Sequence, residues 1–203
     1  LPSEGWNIVR DVHTMSGGHN HCEILIEDLR VPAANMLGGR GQGHLLGQYR
    51  LGPARLAHCM RWIGICNRCF DLMCSRASKR AITPDGRTLA TRQIIQAWIS
   101  ECAANIQAAR LMILNTAWKM EKYGNKAARQ DVSMIKFFTA NVMQSVIDKA
   151  LQVHGGLGMT DDIIIPFFYR HERAARIYDG ADEVHKVSLA RRILKEYEGR
   201  EVR

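Results

Sequence analysis

The chain has 203 residues, 46% of them hydrophobic, which predicts a folded protein with a sizeable core and excludes a disordered one. It contains no run of roughly 18 apolar residues and no signal-like opening segment, so we expect a soluble protein without a membrane span. The net charge of +8 permits a nucleic acid, a membrane surface or a polyphosphate ligand as partner, but Lys and Arg form no block of five or six, which argues against direct nucleic-acid binding.

The first 40 residues differ in composition from the rest. The chain begins with Leu1 rather than Met, in sequence typical of a mid-strand position, so we expect a fragment of a longer polypeptide. Cys22, Ile24 and Ile26 alternate with Glu23, Leu25 and Glu27. This period of two predicts a strand, which Val31-Pro32 would end. We interpret residues 1–40 as the end of a β-domain.

Two polar features of this region suggest binding sites, but more ordinary explanations fit them better. His13, His19 and His21 lie beside a glycine pair, where a metal site is conceivable, but histidines in a polar loop are more often solvated. The glycine-rich stretch 38–43 lacks the Gly-Lys-Ser/Thr ending of a phosphate loop. We therefore predict no metal site and interpret the glycines as a domain junction.

From about residue 44 the pattern becomes helical, with apolar residues every three or four positions. Pro53 would stand near the start of the first helix, and 83–86 would form a turn before the second. Gly124 would end the second helix, Gly155-Gly156 the third, and Asp182 would cap the fourth. The predicted core stripes are Leu56, Cys59, Met60, Ile63, Cys66, Phe70, Met73 and Ala77; Ile94, Trp98, Cys102, Ala109, Ile113 and Met120; Val132, Ile135, Phe138, Val142, Val146 and Val153; and Val184, Val187, Leu194 and Tyr197.

Long amphipathic helices with short connections predict a mainly α protein: an antiparallel four-helix bundle over residues 41–203, preceded by a short β segment. Six cysteines lie in the chain, and the Cys66-x-x-Cys69 pair has no second pair at zinc-ligand spacing. Buried or half-buried free thiols are expected, which suits a reducing compartment.

Two glycine-containing turns interrupt the helical pattern in the last third of the chain. One lies at Gly155-Gly156, and the other, Tyr178-Asp179-Gly180, places an isolated carboxylate between two helices. Glycine allows a backbone N–H to approach a flat or phosphorylated group. A glycine helix cap and a plain Asp-Gly turn are the structural alternatives for these two motifs.

Three motifs in this order resemble the C-terminal part of the acyl-CoA dehydrogenase family: residues 50–55 (RLGPAR), 152–156 (QVHGG) and 178–180 (YDG). The resemblance extends over essentially the whole chain and is closest to a branch whose turn reads Asp-Gly-x-Asp-Glu-Val-His. It implies a flavin-dependent enzyme that oxidises an acyl-CoA thioester to the enoyl-CoA. The chain would hold the end of the middle β-domain and the C-terminal bundle, and alone it would be inactive.

The resemblance also implies roles for individual residues. Asp179 matches the catalytic base, whereas Ala54, which matches the base position of some relatives, cannot serve. Arg55 and Gly180 match substrate-binding positions. The positions that match FAD contacts are Arg80, Gln93, Gln152, Gly155, Gly156 and Ala181.

Two departures from the family pattern bear on FAD. Loop 81–86 lacks the usual aromatic-glycine pair, and Ala181 replaces a common Thr or Ser. Family members complete the flavin site across subunits, so a homodimer or tetramer is expected, with an acceptor such as an electron-transfer flavoprotein. The compartment would be mitochondrial, peroxisomal or bacterial cytoplasmic. The alternatives are a non-catalytic assembly or CoA-binding domain, and a DNA-associated member of the family.

Overall fold

The computed structural model describes residues 4–18 and 21–200, so His19 of the histidine group lies outside the described residues. The described chain divides into two compact units, Leu1–Arg50 and Leu51–Arg203. The first contains strands β1 (Trp6–Val12) and β2 (His21–Ile26), which pair antiparallel with Trp6 opposite Ile26. The predicted strand is therefore present, but it ends at Ile26, before Val31-Pro32, and the side chains of all its residues are exposed.

Five α-helices account for most of the remaining chain. They are α1 (Gly43–Lys79), α2 (Gln93–Ala127), α3 (Arg129–His154), α4 (Ile165–Glu172) and α5 (Asp182–Tyr197). Short 3₁₀ segments occupy Ala33–Asn35, Leu89–Thr91, Gly155–Met159 and Arg173–Arg176. The predicted mainly α fold with a preceding β segment is confirmed, with α4 as an additional short helix.

Helix α1 starts earlier than the position of its proline suggested. Pro53 lies inside the helix rather than near its start, so the backbone there lacks one intrahelical donor. Most of the predicted stripe faces the core, including Cys59, Ile63 and Met73, but Met60 is 57% exposed and Trp62 is buried instead. The spacing of the apolar residues therefore predicted the helix correctly, but it predicted the wrong burial for Met60 and did not include Trp62 in the core.

Gly124 has a φ of 81° and breaks the regular helix inside α2, at the position where the sequence predicted an end, but the helix continues to Ala127 and α3 follows at Arg129. Helix α3 contributes the longest set of buried residues and packs against α2, α4 and α5, so it lies at the centre of the second unit. It ends where Gly155 adopts a φ of 61°, the left-handed cap that glycine favours. In the second helix, Ile95 rather than Ile94 is buried.

The predictions for the last helix were wrong in two respects. Asp182 does not cap α5: it is the first helical residue, and its buried carboxylate accepts hydrogen bonds from Arg176 and Asn141 at 2.8 Å each. The stripe predicted as core is exposed in the described chain, with Val184 at 62% and Leu194 at 66%. These apolar side chains therefore remain available for contacts outside the chain.

The cysteines are free thiols, and Cys59, Cys66, Cys69 and Cys102 are buried as predicted, whereas Cys22 is exposed. Burial raises the pKa of Cys59 and of Cys69 to about 12 each, which keeps both protonated at neutral pH. Within residues 4–18 and 21–200, no group of three or more His, Cys, Asp or Glu side chains is placed to hold a metal ion. Nor does any described helix have a stretch long and apolar enough to cross a bilayer.

Candidate active site

The turn that carries Asp179 has an unusual backbone. Asp179 has a φ of 53° and Gly180 a φ of 104°, so both residues lie on the left-handed side of the Ramachandran plot. Aspartate tolerates this region better than most side chains, and glycine adopts it without steric cost. A Cβ at position 180 would lie 2.8 Å from Nε2 of His185. The turn therefore requires glycine here for two independent reasons.

Helices α1 and α5 both hold the backbone of this turn. Arg55 donates from Nε to the carbonyl oxygen of Asp179 over 2.8 Å, and Nε2 of His185 lies 3.3 Å from the same oxygen. Burial lowers the pKa of Arg55, although the nearby Asp179 favours its charged form. Burial, and then the charge of Arg55, lower the pKa of His185. A neutral His185 can donate to the carbonyl without adding a second positive charge.

The carboxylate of Asp179 has a partner of its own on α1. Its Oδ2 lies 3.0 Å from Nε2 of His58, and the side chains of Asp179 and His58 are 19% and 34% exposed. The carboxylate is therefore sheltered but still reachable from outside the chain. Such a group can accept a proton from a molecule placed against the turn.

A buried lysine on α3 also holds the backbone of this turn. Lys136 on α3 is fully buried and donates from Nζ to the carbonyl oxygens of Ala175, at 2.6 Å, and Gly180, at 3.0 Å. Burial lowers the pKa of Lys136, while Asp182 favours its charged form. This contact joins the two ends of the segment that carries Asp179.

A second carboxylate nearby, Glu172, is committed to structure. It is 1% exposed, contacts both terminal nitrogens of Arg61 and accepts from Nε1 of Trp62 at 3.2 Å. Arg61 also donates to the hydroxyl of Tyr178 over 3.0 Å. A carboxylate that is almost fully buried and surrounded by donors from its own chain is not accessible to a substrate. Asp179 is therefore the better candidate for proton transfer.

A separate groove of about 450 Å³ lies at the carboxyl end of α3. Among the described residues, Nε of Arg76 is buried here without a hydrogen-bond partner. Two arginines, Arg76 and Arg80, and a glycine turn line this groove, a combination of donors that suits a phosphate-bearing group. Its lining comprises Arg76, Arg80, Ile82, Leu89, Gln152, Val153, His154, Gly155, Gly156 and Leu157.

The structure groups the predicted site residues into two places. Arg55, Asp179, Gly180 and Ala181 lie together at the turn. The groove brings together Arg80, Gln152, Gly155 and Gly156. Gln93 is exposed at the first position of α2 and is not among the described residues that line the groove.

Sequence reasoning missed His58, Lys136 and Arg76. A signal existed for Lys136, a charged residue that directly follows Ile135 of the predicted apolar stripe of α3. His58 follows Ala54 by one helical turn and therefore shares its face of α1, a position that also deserved notice. Nothing in the sequence distinguishes Arg76, because it stands out only through its buried Nε, which has no hydrogen-bond partner among the described residues.

The comparisons with known proteins agree with this architecture. Residues 41–194 match the family model described as acyl-CoA dehydrogenase, C-terminal domain. The probable acyl-CoA dehydrogenase FadE2 of Mycobacterium tuberculosis is 42% identical over 94% of this chain and 47% of its own length.

Solved structures show the same fold. A putative acyl-CoA dehydrogenase from Mycobacterium abscessus superposes with a TM-score of 0.89 at 34% identity, over 96% of this chain and 48% of that one. Butyryl-CoA dehydrogenase from Megasphaera elsdenii superposes with a TM-score of 0.81 at 25% identity, over 94% of this chain and 49% of that one. The chain spans about half the length of these proteins. Because the family model matches most of the chain and the fold agrees throughout, this chain belongs to the acyl-CoA dehydrogenase family.

Proposed function

We propose that this chain is the C-terminal part of a flavin-dependent acyl-CoA dehydrogenase, which converts an acyl-CoA thioester to the enoyl-CoA. The observation that carries the proposal is the geometry of Asp179. Its backbone is held by Arg55 in a left-handed turn, and its carboxylate is sheltered but not closed off. Residues 1–40 would be the end of the middle β-domain and residues 41–203 the helical-bundle domain.

In this proposal Asp179 is the catalytic base. The hydrogen on the α-carbon of a thioester is weakly acidic, so its removal requires a positioned base in a site that excludes bulk water. The proton passes to the carboxylate of Asp179, and the electrons of the broken C–H bond remain with the thioester. Arg55 and Lys136 would keep the turn in place during this transfer because they hold the carbonyls of Asp179 and Gly180.

The groove at the end of α3 would hold the adenosine-diphosphate portion of FAD. Arg80, Gln152, Gly155 and Gly156 line the groove and would contact this group, with Arg76 offering a further donor. FAD, when bound, supplies the acceptor for the hydride that leaves the β-carbon of the substrate. Gln93 and Ala181 are assigned to the flavin by family resemblance, outside this groove.

Substrate binding would fall to residues around the turn. Gly180 is assigned to the substrate by family resemblance, and Arg55 has guanidinium donors beyond the Nε that holds the turn. The net charge of +8 is compatible with a substrate and a cofactor that both carry phosphates.

The assembly would be a homodimer or a tetramer. Exposed apolar side chains on α5, including Val184 and Leu194, offer surface for a second copy. Electrons would leave through an acceptor such as an electron-transfer flavoprotein. Free buried thiols suit a reducing compartment, either mitochondrial, peroxisomal or bacterial cytoplasmic.

The test is anaerobic mixing of full-length, FAD-loaded protein with a panel of acyl-CoAs, following flavin absorbance and enoyl-CoA formation. Bleaching with product formation is expected for one class of acyl chain. Asp179→Asn should retain FAD and lose turnover by about a thousandfold or more, because the amide cannot take the proton. Asp161→Asn, which removes a carboxylate that is 79% exposed, serves as control.

One result would overturn the proposal, and another would change only the identity of its base. If no acyl-CoA bleached the flavin of the loaded protein, the proposed dehydrogenase activity would be rejected in favour of a binding or assembly role. Turnover retained by Asp179→Asn would instead remove only Asp179 from the role of base.

A further inference from the structure

The contact between His58 and Asp179 links the proposed base to the first helix of the bundle. Nε2 of His58 lies 3.0 Å from Oδ2 of Asp179, a hydrogen-bonding distance between residues far apart in sequence. The histidine is one turn beyond Ala54 and three positions beyond Arg55. One face of α1 therefore holds both the main-chain carbonyl and the side-chain carboxylate of the same aspartate.

Two aromatic rings fix the orientation of the imidazole. The ring of Trp62 stacks on it with centroids 6.1 Å apart and an interplanar angle of 20°, and the ring of Tyr178 lies at 5.2 Å. Both rings are themselves anchored, since Trp62 donates to Glu172 and Tyr178 accepts from Arg61. His58 is thus held by side chains that have fixed partners, and its Nε2 is directed at the carboxylate.

An aspartate base depends strongly on such a partner. Its carboxylate is one methylene closer to the backbone than that of glutamate, so a small rotation about χ1 or χ2 moves both oxygens away from a substrate proton. A donor on Oδ2 limits this rotation and leaves Oδ1 without that partner. Positioning of this kind contributes to rate because the reacting atoms must already be aligned.

We propose that His58 is a positioning residue for Asp179: it donates from Nε2 to Oδ2 and so presents the carboxylate to the α-proton of the substrate. The inference rests on the proposed function. The proton of the substrate passes to Asp179, and His58 retains its own proton throughout. His58 touches neither substrate nor cofactor in this role, and it acts only through the carboxylate.

The role has a consequence for which side chains position 58 tolerates. The tautomer of histidine that carries its proton on Nε2 donates to Oδ2, so a replacement that keeps an N–H donor should preserve the role and one without a donor should not. The other charged or titratable groups around the pair are Arg55 and Arg61 on α1, Lys136 on α3, Glu172 on α4, Tyr178 in the turn, and Asp182 and His185 on α5.

The test uses full-length, FAD-loaded enzyme with two substitutions. His58→Gln retains an N–H donor at a comparable reach, whereas His58→Leu has none. Proton transfer is measured alone, as exchange of the α-hydrogen for deuterium in an acyl-CoA analogue with sulfur in place of the β-carbon, which cannot lose a hydride. His171→Gln is the matched control, since His171 also contacts a carboxylate, that of Glu172.

We expect His58→Leu to slow α-exchange and kcat by about 10- to 100-fold, the loss of one charge-assisted hydrogen bond, with KM and FAD content near wild type. His58→Gln, which keeps an N–H donor, should remain within about threefold of wild type in α-exchange and kcat. The control should match wild type in all four measurements.

Wild-type exchange rates in His58→Leu would overturn the inference and leave the proposed function intact. If His58→Leu failed to fold, His58→Gln would decide, and a loss of about 10-fold or more in its α-exchange rate would refute the role, because this variant retains the donor. If the wild-type enzyme neither exchanged nor oxidised any acyl-CoA, the proposed function would fail and this inference with it.

Discussion

Lys136 donates a hydrogen bond from Nζ to the carbonyl oxygen of Gly180 over 3.0 Å, and its ammonium lies 2.6 Å from the carbonyl oxygen of Ala175. The rings of Trp62 and Tyr178 flank the same ammonium at 5.7 and 5.6 Å. Burying a charged group costs free energy unless its donors have partners. Here the ammonium of Lys136 has two carbonyl oxygens and two aromatic ring faces as partners. The lysine thus links the centre of the bundle to the turn that carries Asp179.

Lys136→Met should destabilise the full-length protein by about 2–3 kcal/mol, because the substitution leaves two sheltered carbonyls without their donor. Urea unfolding at pH 7.5 measures the change. Lys149→Met provides the control, since Lys149 pairs with the exposed Glu101 and a surface ion pair contributes about 1 kcal/mol or less. Equal losses in the two variants would show that Lys136 has no special structural role.

Gly180→Ala should distort the turn. The residue would have to keep a φ of 104°, and its Cβ would lie 2.8 Å from Nε2 of His185. We expect a loss of about 2 kcal/mol in stability and a larger proportional loss in kcat than in FAD content. Thermal unfolding and flavin absorbance measure the two effects.

The control for this substitution is Gly64→Ala. Gly64 is exposed within α1 and has nothing within 4 Å of an added Cβ, so alanine should stabilise the helix by up to about 1 kcal/mol. A Gly180→Ala variant as stable and as active as Gly64→Ala would contradict the requirement for glycine at the turn.

His185 should make stability depend on pH. Burial and the charge of Arg55 lower the pKa of His185 from its usual value of 6.5. Between that value and the lowered pKa, the imidazole is protonated in the unfolded chain but not in the folded chain. The contribution of His185 is therefore fully present above about pH 6.5 and is lost as the pH falls towards the lowered pKa of the folded state.

His185→Gln should flatten this dependence. The free energy of unfolding, measured in urea from pH 8 to pH 5, should fall less steeply in the variant than in wild type. Glutamine can still donate to the carbonyl of Asp179, so stability at pH 8 should change little. Parallel slopes in the two proteins would show that the imidazole takes up its proton equally well when folded.

Arg80→Gln should weaken FAD binding. Arg80 lines the groove with Gly155 and Gly156, and glutamine there offers fewer donors and no charge to a pyrophosphate. We expect Kd to rise by about 5- to 30-fold, equivalent to about 1–2 kcal/mol, in a fluorescence titration of the full-length apoprotein.

Arg87→Gln is the matched control for Arg80→Gln. Arg87 stands in the same connecting loop, and its side chain is 71% exposed and pairs with Asp85. Its substitution should leave Kd unchanged. If the two variants lost affinity equally, the effect would reflect the net charge of the protein rather than the groove.

The sequence by itself determined the features that depend on local order. The period of apolar residues placed the long helices. Glycine marked the break in α2 at Gly124 and the end of α3 at Gly155, because a residue without a Cβ adopts positive φ at no steric cost. The motif at residues 178–180 likewise indicated a turn that presents a carboxylate. These properties arise from residues close together in the chain.

Tertiary structure alone decided which side chains meet. Nε2 of His58 lies 3.0 Å from Oδ2 of Asp179, although the two residues are 121 positions apart in the chain and no sequence period relates them. Asp182 is buried by Arg176 and Asn141 rather than capping its helix, and Val184 is exposed because the described chain places no packed element over it. Periodicity shows that a helix has an apolar face, but only the packing of the helices determines what that face contacts.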